Sequence, residues 1–311
     1  MSHAFPPPAL DLTGVWVPLI TPFSEAVPHA VEHHALAALT RRLAQDGVRG
    51  LVVCGTTGEA ASLSLDEQQA CLFTVAEAAP ELPRLMGLGG ESMADALHRL
   101  RLFTADRSCR PQAMLVAAPS YIRPSQAGLQ RWFETLADAS PVPLVLYDIP
   151  YRTGVTMARD TLLALATHPN IVGLKDCGGD LGKTLALLQQ GSLQVLAGED
   201  LAAFATVALG GVGTISAAAH LATPRWVAMV DALRAGSLHK ARAHWLPLVP
   251  LIEALFTEPN PGPLKAALSH RGEVSNTLRP PMTTAGPELT TRLIDELARL
   301  QGLRDARSGA V

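Results

Sequence analysis

Eight times over about 235 residues, a short apolar run of β-type is followed by a longer stretch rich in Ala and Leu. The runs are Val15 to Ile20, Gly50 to Cys54, Arg84 to Leu88, Gln112 to Ala118, Pro143 to Tyr147, Ile171 to Lys175, Leu193 to Leu196 and Gly211 to Ile215. The helical stretches between and after them are Ala30 to Gln45, Leu65 to Ala79, Ser92 to Asp106, Ser125 to Ala139, Ala158 to Thr167, Leu181 to Gln190, Asp200 to Leu209 and Thr223 to Ala235. Continuously apolar strands joined by helices make a parallel sheet covered on its faces. Eight such units at this spacing fit a (β/α)8 TIM barrel better than an open, doubly wound sheet. Punctuation agrees with the period: Gly47 ends the first helix, and Ser64 with Glu67 three residues on has the form of a capping box. Residues 1–235 are therefore read as the barrel. Residues 236–311 are read as a C-terminal helical extension packed on it, broken at Glu258-Pro259-Asn260-Pro261-Gly262-Pro263.

Composition narrows the function. The chain has 311 residues, 48% hydrophobic and 17% charged, with a formal net charge of −3. It carries no basic block, so a phosphate-neutralising nucleic-acid surface is disfavoured. No apolar stretch approaches the ~20 residues needed to span a bilayer. Cys54, Cys71, Cys109 and Cys177 are scattered and form no C-x-x-C, which suggests a reducing compartment and no structural zinc. The opening MSHAFPPPAL does not read as an export signal, and the expected location is the cytoplasm. His33-His34 lie on a predicted surface helix and His168 sits in a His-Pro-Asn loop, so the histidines make no metal case and a metal-dependent aldolase is set aside. Gly210-Gly211-Val212-Gly213 precedes its strand, the reverse of a dinucleotide-binding turn.

In a barrel of this kind, chemistry sits at the C-terminal ends of the strands. The sixth run, Ile171-Val172-Gly173-Leu174-Lys175, ends on one of only four lysines, set against twenty-one arginines. Arginine holds its proton, whereas a desolvated lysine can release it and become a nucleophilic amine. Lys175 is thus a candidate Schiff-base lysine; the plainer reading is a strand-end lysine reaching to solvent. Tyr147 ends the neighbouring run and is a candidate proton donor to it, or simply an amphipathic ring at the rim. Gly55-Thr56-Thr57-Gly58-Glu59 can offer backbone N–H groups and two hydroxyls to a carboxylate, or be an ordinary βα turn. Arg152, five residues after Tyr147, can clamp a carboxylate or remain a solvated loop residue.

These segments, together with Pro18 to Phe23, Tyr121 to Gln126, Ala197 to Asp200, Gly211 to Ser216 and Glu258 to Pro261, resemble the dihydrodipicolinate synthase / N-acetylneuraminate lyase family of class I, lysine-dependent barrel enzymes. The Thr-Thr turn and the Arg-Thr-Gly after Tyr147 are similar to the synthase branch. The resemblance implies condensation of pyruvate with aspartate semialdehyde in lysine biosynthesis, with no cofactor beyond the imine on Lys175. It implies that Thr57 and the Ile215 backbone hold pyruvate and that Tyr147, Thr56 and Tyr121 relay protons, with Tyr121 entering from a neighbouring subunit. It further implies that Arg152 and the Gly198 carbonyl receive the aldehyde, and that the chain assembles as a tetramer of tight dimers. A sister pyruvate aldolase or dehydratase acting on a sugar acid or hydroxy-oxo acid would need the same Lys175 and Tyr147. A catalytically silent acid-binding barrel is a third reading, opposed by the intact Lys175, Tyr147 and Thr57.

The chain departs from the family pattern at Asp148, Tyr151 and Cys177. At the places of the family's lysine-feedback pocket it carries Ala60, Ala61, Leu65, Gln68, Glu91, Asp95 and Ser120. Weak or absent inhibition by lysine is expected.

Overall fold

The computed structural model describes residues 10–27 and 29–308, with side chains to residue 303. The amino-terminal stretch read for an export signal lies, except for Leu10, outside the described residues. Eight strands close into a barrel in sequence order. They are β1 (Gly14–Pro18), β2 (Gly50–Val53), β3 (Arg84–Leu88), β4 (Ala113–Ala117), β5 (Leu144–Asp148), β6 (Ile171–Asp176), β7 (Gln194–Ala197) and β8 (Gly213–Ile215). Every pairing is parallel, and closure is made by Gly14, Val15 and Trp16 of β1 against Gly213, Thr214 and Ile215 of β8.

The helices that return the chain are α1 (His33–Gln45), α2 (Leu65–Ala78), α3 (Met93–Ala105), α4 (Gln126–Ala139), α5 (Pro150–Thr153), α6 (Arg159–Leu165), α7 (Leu181–Gln190), α8 (Ala203–Ala208) and α9 (Thr223–Arg234). Their starts follow local chemistry. Ser64, Ser92, Ser125 and Asp180 each accept an N–H from the first turn of their helix, and Ser64 with Glu67 completes the reciprocal capping box. The first helix starts at His33, three residues later than its pattern suggested, because Phe23 bridges Val31 and the Glu32 amide donates to the Pro22 carbonyl just before it. Arg152, expected on an open loop, lies in the single turn α5, which Gly154 ends in the left-handed conformation.

Two apolar layers result. The outer core lies between sheet and helices and includes Val15, Val17, Leu51, Val53, Leu144 and Leu174. The inner core fills the barrel with Trp16, Val52, Leu85, Leu115, Val145 and Leu196. Along every strand except β6, alternate residues serve alternate layers.

The C-terminal part comprises α10 (Leu238–Trp245), α11 (Val249–Leu255), α12 (Gly262–His270) and α13 (Pro287–Ser308). Trp245 packs edge-on to Trp226 of α9 at 5.8 Å and stacks on Phe204 of α8 at 6.0 Å. Residues 271–286, expected to be helical, form an irregular strap instead. Arg279 in that strap grips Glu67 of α2 and the carbonyls of His29 and Ser62. Among the described residues, no helix is long and apolar enough to cross a membrane.

Candidate active site

Strict alternation from Ile171 would put Lys175 on the outer face of β6, because residues two apart share a face. The structure breaks that alternation. Leu144 pairs with Ile171, but the next residue, Val145, pairs with Gly173, leaving Val172 as an extra residue on β6. Ile171 and Leu174, three apart, both belong to the outer core. A Cβ on Gly173 would meet the inner-core Leu12 side chain at 2.6 Å and the Gln194 carbonyl oxygen at 3.0 Å, so this position faces inward and a side chain there would displace its neighbours. One inserted residue flips the phase. Lys175 thereby stands beside Tyr147, its direct register partner on β5.

The two side chains meet inside the barrel. Lys175 is 6% exposed, and its Nζ lies 4.2 Å from the centre of the Tyr147 ring. Among the described residues, no carboxylate lies within ion-pairing distance of that nitrogen. Tyr147 is buried, and burial pushes its phenol well above the usual tyrosine range. The Thr56 hydroxyl and the Arg152 charge oppose that shift without cancelling it. The phenol therefore stays protonated around neutral pH. Gly198, at the end of β7, closes the third side: a Cβ there would lie 2.8 Å from Lys175 Cγ and 2.4 Å from Cys177 Sγ. Ile215 ends β8 within the inner core.

The glycine turn after β2 separates its two threonines. Thr56 is exposed toward Tyr147, and Thr57 is buried. Arg152 lies over the ring of the exposed Tyr151 at 5.5 Å. The α5 segment is clamped by Asp148, one residue past Tyr147. Its Oδ1 accepts the Met157 amide at 3.1 Å, and its Oδ2 pairs with the buried Lys183 ammonium, which also donates to the Met157 carbonyl. Burial pushes the Asp148 carboxyl up, against the pull of Lys183. The far end is held from α4, where Gln126 bonds Thr156, Ala158 and Thr161, and from Arg123, which donates to the Gly154 carbonyl.

Lys175, Tyr147, Thr56, Thr57, Gly198, Ile215 and Arg152 thus lie at or just beyond strand ends around one barrel mouth. Tyr121 does not join them within the chain. It lies between β4 and α4 with φ 72°, 94% exposed, beside the exposed Ile122. Sequence reasoning gave no role to three polar groups nearby, of which Asp200 and Glu59 are buried and Asn260 is half-buried. Asp200, pushed up to about 7 mainly by burial, joins the β7 and β8 ends by accepting the Ala218 amide at 2.8 Å. Glu59 pairs with Lys265, and Asn260 donates to Thr57, so both join the glycine turn to the C-terminal part. In the sequence they stood inside segments that carry the family resemblance, as polar residues in Gly- or Pro-rich turns with no partner to assign a role. Among the described residues, no cluster of three or more His, Cys, Asp or Glu side chains is arranged to hold a metal ion.

Comparison with known proteins agrees with this geometry. The sequence profile of the Dihydrodipicolinate synthetase family matches residues 11–299. A 4-hydroxy-tetrahydrodipicolinate synthase of Syntrophus aciditrophicus is 37% identical over 273 residues, 86% of this chain and 91% of the relative. Another, from a Synechococcus strain, is 37% identical over 287 residues, 91% and 93% of the two chains. Among solved structures, the dihydrodipicolinate synthase of Aquifex aeolicus superimposes with a TM-score of 0.88 at 30% identity, covering 93% of this chain and 98% of that one. The Acinetobacter baumannii synthase, solved in complex with pyruvate, gives 0.87 at 31%, covering 92% and 98%. Sequence and backbone agree over nearly the full length of each pair, and the chain belongs to the Dihydrodipicolinate synthetase family of lyases.

Proposed function

We propose that the chain condenses pyruvate with aspartate semialdehyde to give 4-hydroxy-tetrahydrodipicolinate through a Schiff base on Lys175. The observation that carries this reading is the Lys175–Tyr147 pair, an amine with no carboxylate partner among the described residues, held against a protonated phenol in the buried interior. The amine adds to the pyruvate carbonyl, and the resulting carbinolamine loses water to form the imine. Tyr147 supplies and recovers the protons these steps need, with Thr56 as the next hydroxyl in the relay. The protonated imine is the electron sink that lets C3 lose a proton and become an enamine, so the reaction needs no external cofactor. The enamine carbon attacks the aldehyde of the second substrate. The substrate's own amine then displaces Lys175 as the ring closes, restoring the amine.

Thr57 and the Ile215 backbone hold the pyruvate end. Arg152 and the Gly198 carbonyl receive the semialdehyde, and Tyr151 shapes that side of the mouth. Tyr121 acts in the site of a second subunit, which accounts for a large aromatic ring left in solvent by its own chain. A tetramer of tight dimers in the cytoplasm is the assembly we assign.

Reduction with borohydride in the presence of pyruvate tests the imine. The wild type should gain one pyruvate-derived mass on Lys175, and Lys175→Ala should gain none. Initial rates with aspartate semialdehyde against a panel of sugar acids and hydroxy-oxo acids test the second substrate. Preference for a panel member would transfer the reading to a sister aldolase or dehydratase.

A further inference from the structure

The break between α11 and α12 brings Asn260 onto the glycine turn after β2. There its Nδ2 donates to Thr57 Oγ1 at 3.0 Å, across 203 positions of sequence. Two residues beyond Thr57, Glu59 Oε1 pairs with Lys265 Nζ at 2.6 Å, with both side chains almost fully buried. The other Glu59 oxygen accepts the Arg279 amide at 3.2 Å, and Lys265 also donates to the Thr277 carbonyl at 2.8 Å. Glu59 adopts the left-handed conformation, φ 53° and ψ 36°, which is strained for a residue with a side chain and persists where surroundings enforce it. The turn is thus held from outside by an ion pair, a backbone bond and a side-chain amide, all supplied by residues 260–279.

A hydroxyl has one proton and accepts through its lone pairs. Because Thr57 Oγ1 accepts from Asn260, its own proton is directed elsewhere. Among the described residues no protein group accepts it. That leaves Thr57 as a pre-set donor, buried at the mouth where a 2-oxo acid would place its carboxylate. We propose that Asn260 is a positioning residue for substrate: it fixes the Thr57 hydroxyl as a donor to the carboxylate, so the C-terminal part completes the pyruvate site. The proposal rests on the imine reading of Lys175 and the assignment of Thr57 to the carboxylate.

The experiment is borohydride trapping over a range of carbonyl concentrations, read by intact mass, on wild type, Asn260→Ala, Thr57→Val and the double variant. A hydrogen bond to a charged group is worth about 1.5–3 kcal/mol, so losing the preset donor should raise half-saturating pyruvate about tenfold to a hundredfold. For Asn260→Ala, trapping at saturation, and kcat, should stay within about threefold of wild type. The double variant should be no worse than Thr57→Val alone, since the two groups act through one bond. Hydroxyacetone, a similar carbonyl without a carboxylate, should be trapped equally by wild type and Asn260→Ala. Asn260→Leu, close in volume, carries the same expectation if the smaller side chain loosens the C-terminal part. Unchanged half-saturation, full additivity with Thr57→Val, or an equal loss for hydroxyacetone would each overturn the proposal. If the wild type traps neither carbonyl, the imine reading falls first and takes this one with it.

Discussion

Tyr147 keeps its proton because burial offers a phenolate too little compensation, even with Thr56 and Arg152 nearby. Tyr147→Phe should fold normally and slow turnover by about 10²–10⁴, the usual scale of lost proton transfer, measurable as kcat at saturating substrates. A second buried group ties stability to pH. His220 donates through Nδ1 to the Ala217 carbonyl and accepts the Ile20 amide through Nε2, so a second ring proton would face an N–H. Burial holds this imidazole down to about 3, against 6.5 when unfolded. Between those values only the unfolded chain takes up the proton. The contribution is therefore complete above pH 6.5 and falls away as pH drops toward 3. Urea midpoints at pH 7.5 and 5 should differ more for wild type than for His220→Gln. Lys175 and Tyr147 were legible because each is a rare polar residue closing an apolar run. Asn260 and Glu59 were not, since their partners stand about two hundred residues away and only the fold joins them.

At the scale of the element, strand positions were readable to within a residue or two, whereas the phase of β6 was not. Ile-Val-Gly-Leu is apolar throughout and contains no alternation from which to read which face Lys175 takes. The bulge at Val172 decides it, and Gly173 permits the bulge by leaving room for Leu12. Gly173→Val should therefore do more than overpack the interior, a loss of about 1–3 kcal/mol. It should turn Lys175 away from Tyr147 and abolish pyruvate trapping, even at temperatures where circular dichroism shows an intact fold. The irregular strap 271–286 was hidden for the opposite reason. It lacks any period, and its order comes from Arg279 gripping α2.

Across the whole molecule, the closed sheet fixes the strand ends, and the C-terminal part reaches back over one of them. The same arrangement bears on regulation. Gln68, at the place of the family's lysine pocket, is buried and spends its amide on the Ala60 and Leu63 carbonyls, while Asp95 is paired with Arg99. Initial rates should be unchanged by lysine at physiological concentration, and a fall in rate would restore the feedback site. The lysine distribution has a practical corollary as well. Lys175, Lys183 and Lys265 are interior, so Lys240 on α10 is the single lysine whose ammonium stands in open solvent. Among the lysines, amine-directed acylation should label that residue first, giving a handle for dyes or solid supports that spares the buried nucleophile.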